Sequence, residues 1–151
     1  MRESLFAILG DLSGVSFLDL FSGSGVVAIE AASRGAEPVV LVEKDYGKSG
    51  VLRQNIAFVE SEMKIFMMPV ERFINRRKKE ALSFDIIYLD PPFIFKNKAV
   101  IISGVVDGNL LNPGGGLIIH LPAEENLPDV IGGISLQDKR KYGRSTLMFY
   151  K

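Results

Sequence analysis

The chain contains no cysteine, which excludes a disulfide framework, a thiolate metal site and a cysteine nucleophile. Net charge is missing too. Eighteen Lys and Arg residues balance eighteen Asp and Glu residues, for a formal net charge of zero and a pI near 6.6. No overall field therefore draws nucleic acid, and any contact with RNA or DNA has to be local. No apolar run reaches the ~20 residues needed to cross a bilayer. The N-terminus, whose short apolar stretch is flanked by Glu3 and Asp11, does not read as a signal peptide. No Pro-rich, Ser-rich or like-charged stretch divides the 151 residues, so one domain over 1–151 is expected. The single histidine, His120, ends an apolar run with no second candidate ligand nearby. A structural or solvent-facing role is expected for it, and no metal site. The lack of cysteine leaves the redox compartment open; a cytoplasmic location and a monomeric state are the expectations.

What is present is an alternation of periods. Leu5, Ile8, Leu9 and Leu12 follow the i, i+3, i+4, i+7 rule and predict a leading helix. A strand is predicted over 15–20, a Ser/Gly turn at 22–25, and a helix over 26–34 stopped by Gly35. Strands are then predicted at 39–42, 64–68, 84–89 and 117–121, with helices at 46–58, 71–81 and 99–106. Short, uninterrupted apolar strands alternating with helices mean βαβ units and a parallel sheet covered on both faces. The stretch NPGGG (112–116) reads as a turn, and the polar segment 138–144 as a hairpin loop between strands at 134–137 and 146–150. The expected fold class is α/β, mostly parallel, with an antiparallel strand near the C-terminus.

The motif DLFSGSG (19–25) falls between the first strand and the first helix, where an open α/β sheet places its ligand crevice. Gly23 and Gly25 let the backbone approach a ligand, and with Ala28 the turn also fits G-x-G-x-x-A, which can hold a pyrophosphate. Asp19, read as lying at the lip of the turn, is unfavourable beside a pyrophosphate and favourable beside a cation such as a sulfonium amino acid. Glu43 ends the second strand, where an acid can accept hydrogen bonds from both ribose hydroxyls. Together they point to an adenosine-containing cofactor with a positive tail.

A second motif, Asp90-Pro91-Pro92-Phe93, ends the fourth strand and so meets the same crevice. Two adjacent prolines fix φ twice and remove two N–H donors, which presets the direction of their carbonyls. A nucleobase amino group is a poor nucleophile because its lone pair is delocalised into the ring. A carboxylate oxygen of Asp90 and the Pro91 carbonyl could each accept one N–H and aim that lone pair at a methyl carbon. Phe93 could stack on a base brought out of its helix.

The segments FLDLFSGSG (17–25), AIEAASRGA (28–36), VEKD (42–45), FDIIYLDPPF (84–93) and KYGRSTLMFY (141–150) resemble the RsmD-type 16S rRNA guanine-N2 methyltransferases. RESLFAIL (2–9) is similar to that family's leading helix. The resemblance covers nearly the whole chain. It implies a Rossmann-like class I methyltransferase fold, S-adenosyl-L-methionine as cofactor, and 16S rRNA or the assembling small ribosomal subunit as partner. The cofactor contacts it implies are Asp19, Phe21, Ser22, Gly23, Ser24 and Gly25 in the turn, Glu43 and Lys44 after the second strand, and Met68, Pro69 and Val70 after the third. Asp90, Pro91, Pro92 and Phe93 form the implied target-amino site.

Two departures stand out. The family usually has an acid after the third strand to meet the adenine amino group, and Pro69 occupies that position here. Family members also carry a basic segment ahead of the leading helix, whereas this sequence opens at Met1 almost inside it; a truncated copy, a natural short form and a mis-assigned start all remain open. Basic residues cluster at Arg72, Arg76, Arg77, Lys78 and Lys79, read as a solvated helix face. A second group, Lys139, Arg140, Lys141, Tyr142 and Arg144, is the candidate RNA contact. Competing readings are a methyltransferase for adenine N6 or protein glutamine, a nicotinamide-dependent oxidoreductase, and a non-catalytic relative that binds RNA or a partner.

Overall fold

The computed structural model describes residues 1–151, the side chain of Lys78 excepted. The elements in chain order are α1 (Arg2–Leu9), β1 (Phe17–Leu20), α2 (Val26–Ser33), β2 (Val39–Glu43), α3 (Ser49–Ile56), β3 (Met63–Met67), α4 (Val70–Glu80), β4 (Phe84–Leu89), α5 (Lys98–Asp107), β5 (Leu111–Pro122), β6 (Val130–Ile131), β7 (Ile134–Tyr142) and β8 (Ser145–Tyr150). A single 3-10 turn at Tyr46–Lys48 leads into α3. The strands form one sheet in the order β3-β2-β1-β4-β5-β8-β7-β6, parallel from β3 to β5 and antiparallel beyond. The α/β expectation holds.

Alternation along each strand explains the layering, because successive side chains point to opposite faces. Leu18, Leu20, Val40, Val42, Ile87 and Leu89 pack on one face under α4 and α5, with Phe73, Ile102 and Val105. On the other face Phe17, Val39, Leu41, Tyr88 and Ile118 meet α1 and α2 through Phe6, Val27, Ala28 and Ala31. Every residue of β1 and β2 is buried, which is why these strands read as largely apolar runs, with Asp19 and Glu43 the charged exceptions. The sheet runs outward from β1 through β2 to β3 on one side and through β4 to β5 on the other. The topological switch therefore lies between β1 and β4, and a crevice opens at their C-terminal ends.

Two segments differ from the sequence reading. Residues 112–116 are not a turn but the start of β5, where the register against β4 slips between Phe84 and Ile86. Gly114 takes φ +77°, and a Cβ on Gly115 would lie 2.8 Å from the Asp85 carbonyl oxygen. The glycines thus serve a β-bulge and a close backbone approach. The polar segment 138–144 is mostly strand, since Asp138 to Tyr142 pair with β8 as far as Tyr142↔Ser145, leaving Gly143 and Arg144 as the hairpin tip. Charged residues are tolerated there because this part of the sheet faces water.

Candidate active site

The chain leaves β1 through a turn held by bonds within itself and to the end of β2. Ser22 donates from its amide to Val42 O (2.9 Å) and from Oγ to Asp19 O (2.8 Å), and Gly25 N–H donates to Ser22 O (2.9 Å). Phe21 sits at φ +66°, unusual for a bulky residue and a mark of stored strain. Its ring is anchored edge-on against Phe95, 5.3 Å away. A Cβ on Gly23 would meet nothing, so that position opens into free space; at Gly25 it would lie 2.9 Å from Leu52 Cδ2. The first glycine faces the crevice and the second allows packing. Ser24 accepts a 2.8 Å bond from Asn55 Nδ2 through its carbonyl.

Glu43 is buried at the end of β2, with Oε1 accepting from Gly23 N–H (2.8 Å) and Oε2 from Asp45 N–H (3.0 Å). Each oxygen keeps a lone pair for a ligand. A cavity of about 450 Å³ is lined by Phe21, Ser22, Gly23, Ser24, Glu43, Asp90, Pro91, Pro92 and Phe93, together with Val26 and Lys48. A second, more enclosed cavity of about 210 Å³ shares Phe21 and Glu43 and is closed by Val42, Lys44, Pro69, Val70, Glu71 and Phe95. Met68 is half-buried against the α4/α5 core and lines neither cavity. Lys48 had no distinguishing sequence signal. Glu71 was recoverable in principle, as an acid two positions after the departure at Pro69.

Asp19 is not at the lip of the turn. It lies beneath, 1% exposed, with neither carboxylate oxygen hydrogen-bonded and no wall of either cavity to its name. Burial pushes its pKa well up, the charges of Asp90 and Glu43 add to that rise, and the Ala28 amide in the first turn of α2 opposes it without forming a bond of ordinary geometry. Tyr88, its register neighbour on β4, has a buried and unpartnered hydroxyl whose pKa is likewise raised, mainly by burial.

Asp90 is half-exposed at the end of β4, and its Oδ1 lies 3.0 Å from Nδ1 of His120, whose side chain is 16% exposed. His120 therefore touches the candidate site, whereas its position in the sequence suggests only a structural or solvent-facing role. The link is long-range, from a parallel pairing that sets Leu89 beside Ile119. Phe93 is 70% exposed and borders a further cavity of about 610 Å³ with Pro122, Glu124, Gly143 and Arg144.

The candidate RNA residues separate. Arg144, at the hairpin tip, reaches the crevice side, since Ala123 N–H after β5 donates to its carbonyl (2.9 Å). Lys139 Nζ donates to Asn126 Oδ1, Arg140 is paired with Asp138 at 2.9 Å, and Lys141 is exposed on β7. Tyr142 is half-buried against the α1/α2 face. In α4, Arg77 departs from the solvated-face reading: it is buried, bonded to Glu80, with its guanidinium 4.1 Å from the Phe66 ring centroid. The side chain of Lys78 lies outside the described residues.

A glycine turn after β1, a buried acid at the end of β2 and Asp-Pro-Pro-Phe after β4, all on one crevice of a mostly parallel sheet, define a class I methyltransferase fold. The chain belongs to the RsmD-type family described as Conserved hypothetical protein 95, whose profile matches residues 1–151. It is 28% identical over 154 residues to the candidate rRNA methyltransferase YlbH of Bacillus subtilis, covering 100% of this chain and 84% of that protein. It is 26% identical to the ribosomal RNA small subunit methyltransferase D of Escherichia coli, covering 100% and 76%. Among solved structures, a conserved hypothetical protein of Streptococcus pyogenes superposes with a TM-score of 0.92 at 30% identity, covering 99% of this chain and 94% of that one.

Proposed function

We propose that this protein transfers a methyl group from S-adenosyl-L-methionine to the exocyclic N2 of a guanine in small-subunit rRNA. The observation that carries the reading is that Asp90, Pro91, Pro92 and Phe93 line the same cavity as Gly23 and Glu43. The names of the B. subtilis and E. coli relatives support rRNA as the substrate class.

The residues fit the cofactor on their own chemistry. Two cavities meeting at Glu43 and Phe21 match a ligand with a nucleoside at one end and an amino acid at the other. Glu43 would accept from the ribose hydroxyls, Lys44, Pro69, Val70 and Phe95 would enclose the adenine, and Glu71 would supply the acceptor that Pro69 lacks. When bound, S-adenosyl-L-methionine supplies an electrophilic methyl group on a sulfonium.

The chain's own contribution is alignment. Asp90 and the Pro91 carbonyl accept the two N–H bonds of the target amino group, which turns the nitrogen lone pair toward the cofactor cavity. Phe93, exposed and apolar, stacks on the extruded base. Asp90 then takes the proton that the nitrogen sheds once it has gained a fourth bond. Arg144 holds a phosphate at the rim. A cytoplasmic location fits this substrate, and no described helix is long and apolar enough to cross a membrane.

The test is transfer of labelled methyl to 16S rRNA from a strain lacking the modification, as naked RNA and as assembled subunits, followed by nucleoside analysis. N2-methylguanosine is the expected product. Label in adenine N6 or in protein would redirect the reading to the other acceptor classes.

A further inference from the structure

His120 stands in an apolar setting that does not call for an imidazole. Its register partner on β8 is the fully buried Leu147, its own Nε2 is buried without a hydrogen-bond partner, and the contact to Asp90 is the ring's one hydrogen bond among the described residues. A buried polar atom left unpaired costs stability, so a leucine here would suit the core better. A residue that breaks a local packing rule is expected where function demands it.

The geometry of the contact shows what that demand is. A carboxylate oxygen accepts and Nδ1–H donates, so Oδ1 of Asp90 is held in a fixed direction by a ring that the sheet itself clamps. Asp90 makes no other side-chain hydrogen bond among the described residues. Without His120 its carboxylate, half-exposed at the crevice, would turn freely about its last side-chain torsion.

We propose that His120 is the positioning residue for methyl transfer: by donating from Nδ1 to Asp90 Oδ1 it leaves Oδ2 as the oxygen that receives the target amino group. This rests on the methyltransferase reading given above. His120 acts through Asp90 and needs no contact with RNA or cofactor. It therefore affects turnover and spares the affinity for either ligand, because an alignment effect is expressed mainly in the transition state.

The experiment compares His120→Leu, His120→Asn and His120→Gln in wild-type and Asp90→Ala backgrounds, measuring kcat and KM for rRNA, S-adenosyl-L-methionine affinity and thermal stability. His120→Leu is expected to lower kcat about 10-fold or more, with KM and cofactor affinity within about 3-fold of wild type and stability undiminished. Asn, whose amide nitrogen takes the place of Nδ1, restores most of the rate, and Gln, which mimics Nε2, does not. In the Asp90→Ala background His120→Leu has no further effect, as expected when one residue works through the other. Nitrogen-15 NMR of the free protein adds a readout without turnover: Nδ1 carries the proton, and its signal moves in Asp90→Ala. Equal rates for Leu and wild type, equal losses for Leu and Asn, or additive losses in the Asp90→Ala background overturn the positioning role. Wild-type protein that methylates no guanine overturns the underlying reading instead, and an unprotonated Nδ1 overturns the contact itself.

Discussion

The backbone amide of Gly23 donates a 2.8 Å hydrogen bond to Oε1 of Glu43, tying the turn after β1 to the end of β2. The acid proposed to hold the ribose is thus also the acid that shapes the glycine turn. Glu43→Ala removes both functions, and S-adenosyl-L-methionine affinity is expected to fall about 100-fold or more by calorimetry. Glu43→Gln keeps one acceptor oxygen but places an amide N–H against the Gly23 or Asp45 N–H, so an intermediate loss is expected. Unchanged affinity in Glu43→Ala would place the ribose elsewhere.

The two glycines of the turn are expected to fail differently. Both have positive φ, +58° at Gly23 and +84° at Gly25, but only at Gly25 does an added Cβ collide with packed side chains, Leu52 and Leu41. Gly25→Ala should therefore lose stability, by about 1–3 kcal/mol in denaturant melts. Gly23→Val should lose cofactor binding in excess of any stability loss, because its side chain enters the cavity. The opposite pattern would invert the assignment of the two positions.

Glu71 is expected to compensate for Pro69. It lies in the first turn of α4, on the wall of the smaller cavity, and a carboxylate there can accept the adenine amino group. Glu71→Ala should weaken S-adenosyl-L-methionine binding about 10-fold or more, the worth of one charge-assisted hydrogen bond. An analogue with hydrogen in place of the 6-amino group should bind both proteins alike. Pro69→Asp should restore part of the loss in Glu71→Ala, and the fold should accept it, since Pro69 is the extended N-cap of α4, a position where Asp is favoured. An analogue that still distinguishes wild type from Glu71→Ala would rule the contact out.

Asp19 makes stability depend on pH in a definite direction. Its folded pKa is raised above the ordinary value of 3.8, first by burial and then by Asp90. The folded chain therefore holds this proton more tightly than the unfolded chain, and the contribution of Asp19 falls as pH rises from the ordinary value through the raised one. Asp19→Asn does not ionise and escapes that loss. Its melting temperature should approach that of wild type near about pH 4 and exceed it near about pH 8, by about 2–4 °C for each kcal/mol recovered. A gap that is constant with pH would mean that Asp19 is ionised in the folded protein without cost.

The parallel half of the sheet was legible because its central strands, β1 and β2, are buried on both faces and so read as short, largely apolar runs alternating with helices. The antiparallel edge was legible in outline, from the strands expected at 134–137 and 146–150, but its extent was not. In β7 charged residues stand on a strand that faces water, and in β5 three glycines form a bulge in place of a turn. Glu43 and Asp90 could be placed at the crevice from their positions after strands, whatever the packing. Asp19 could not, because only packing decides whether a residue near the end of β1 faces the ligand or the core beneath it. His120 was out of reach for a different reason: its contact with Asp90 joins residues 30 apart in sequence, and depends on which strands are neighbours.

The most direct measurement is labelled methyl transfer to unmodified 16S rRNA by wild type and Asp90→Ala, with cofactor affinity measured on the same preparations. Asp90 is proposed to grip the nucleophile and leaves the glycine turn and Glu43 intact when removed. The expected result is N2-methylguanosine from wild type, and at least ~100-fold slower transfer by Asp90→Ala with S-adenosyl-L-methionine affinity changed by less than about tenfold. Transfer at the wild-type rate by Asp90→Ala would show that Asp-Pro-Pro-Phe merely ends a strand, and would contradict the account at its centre.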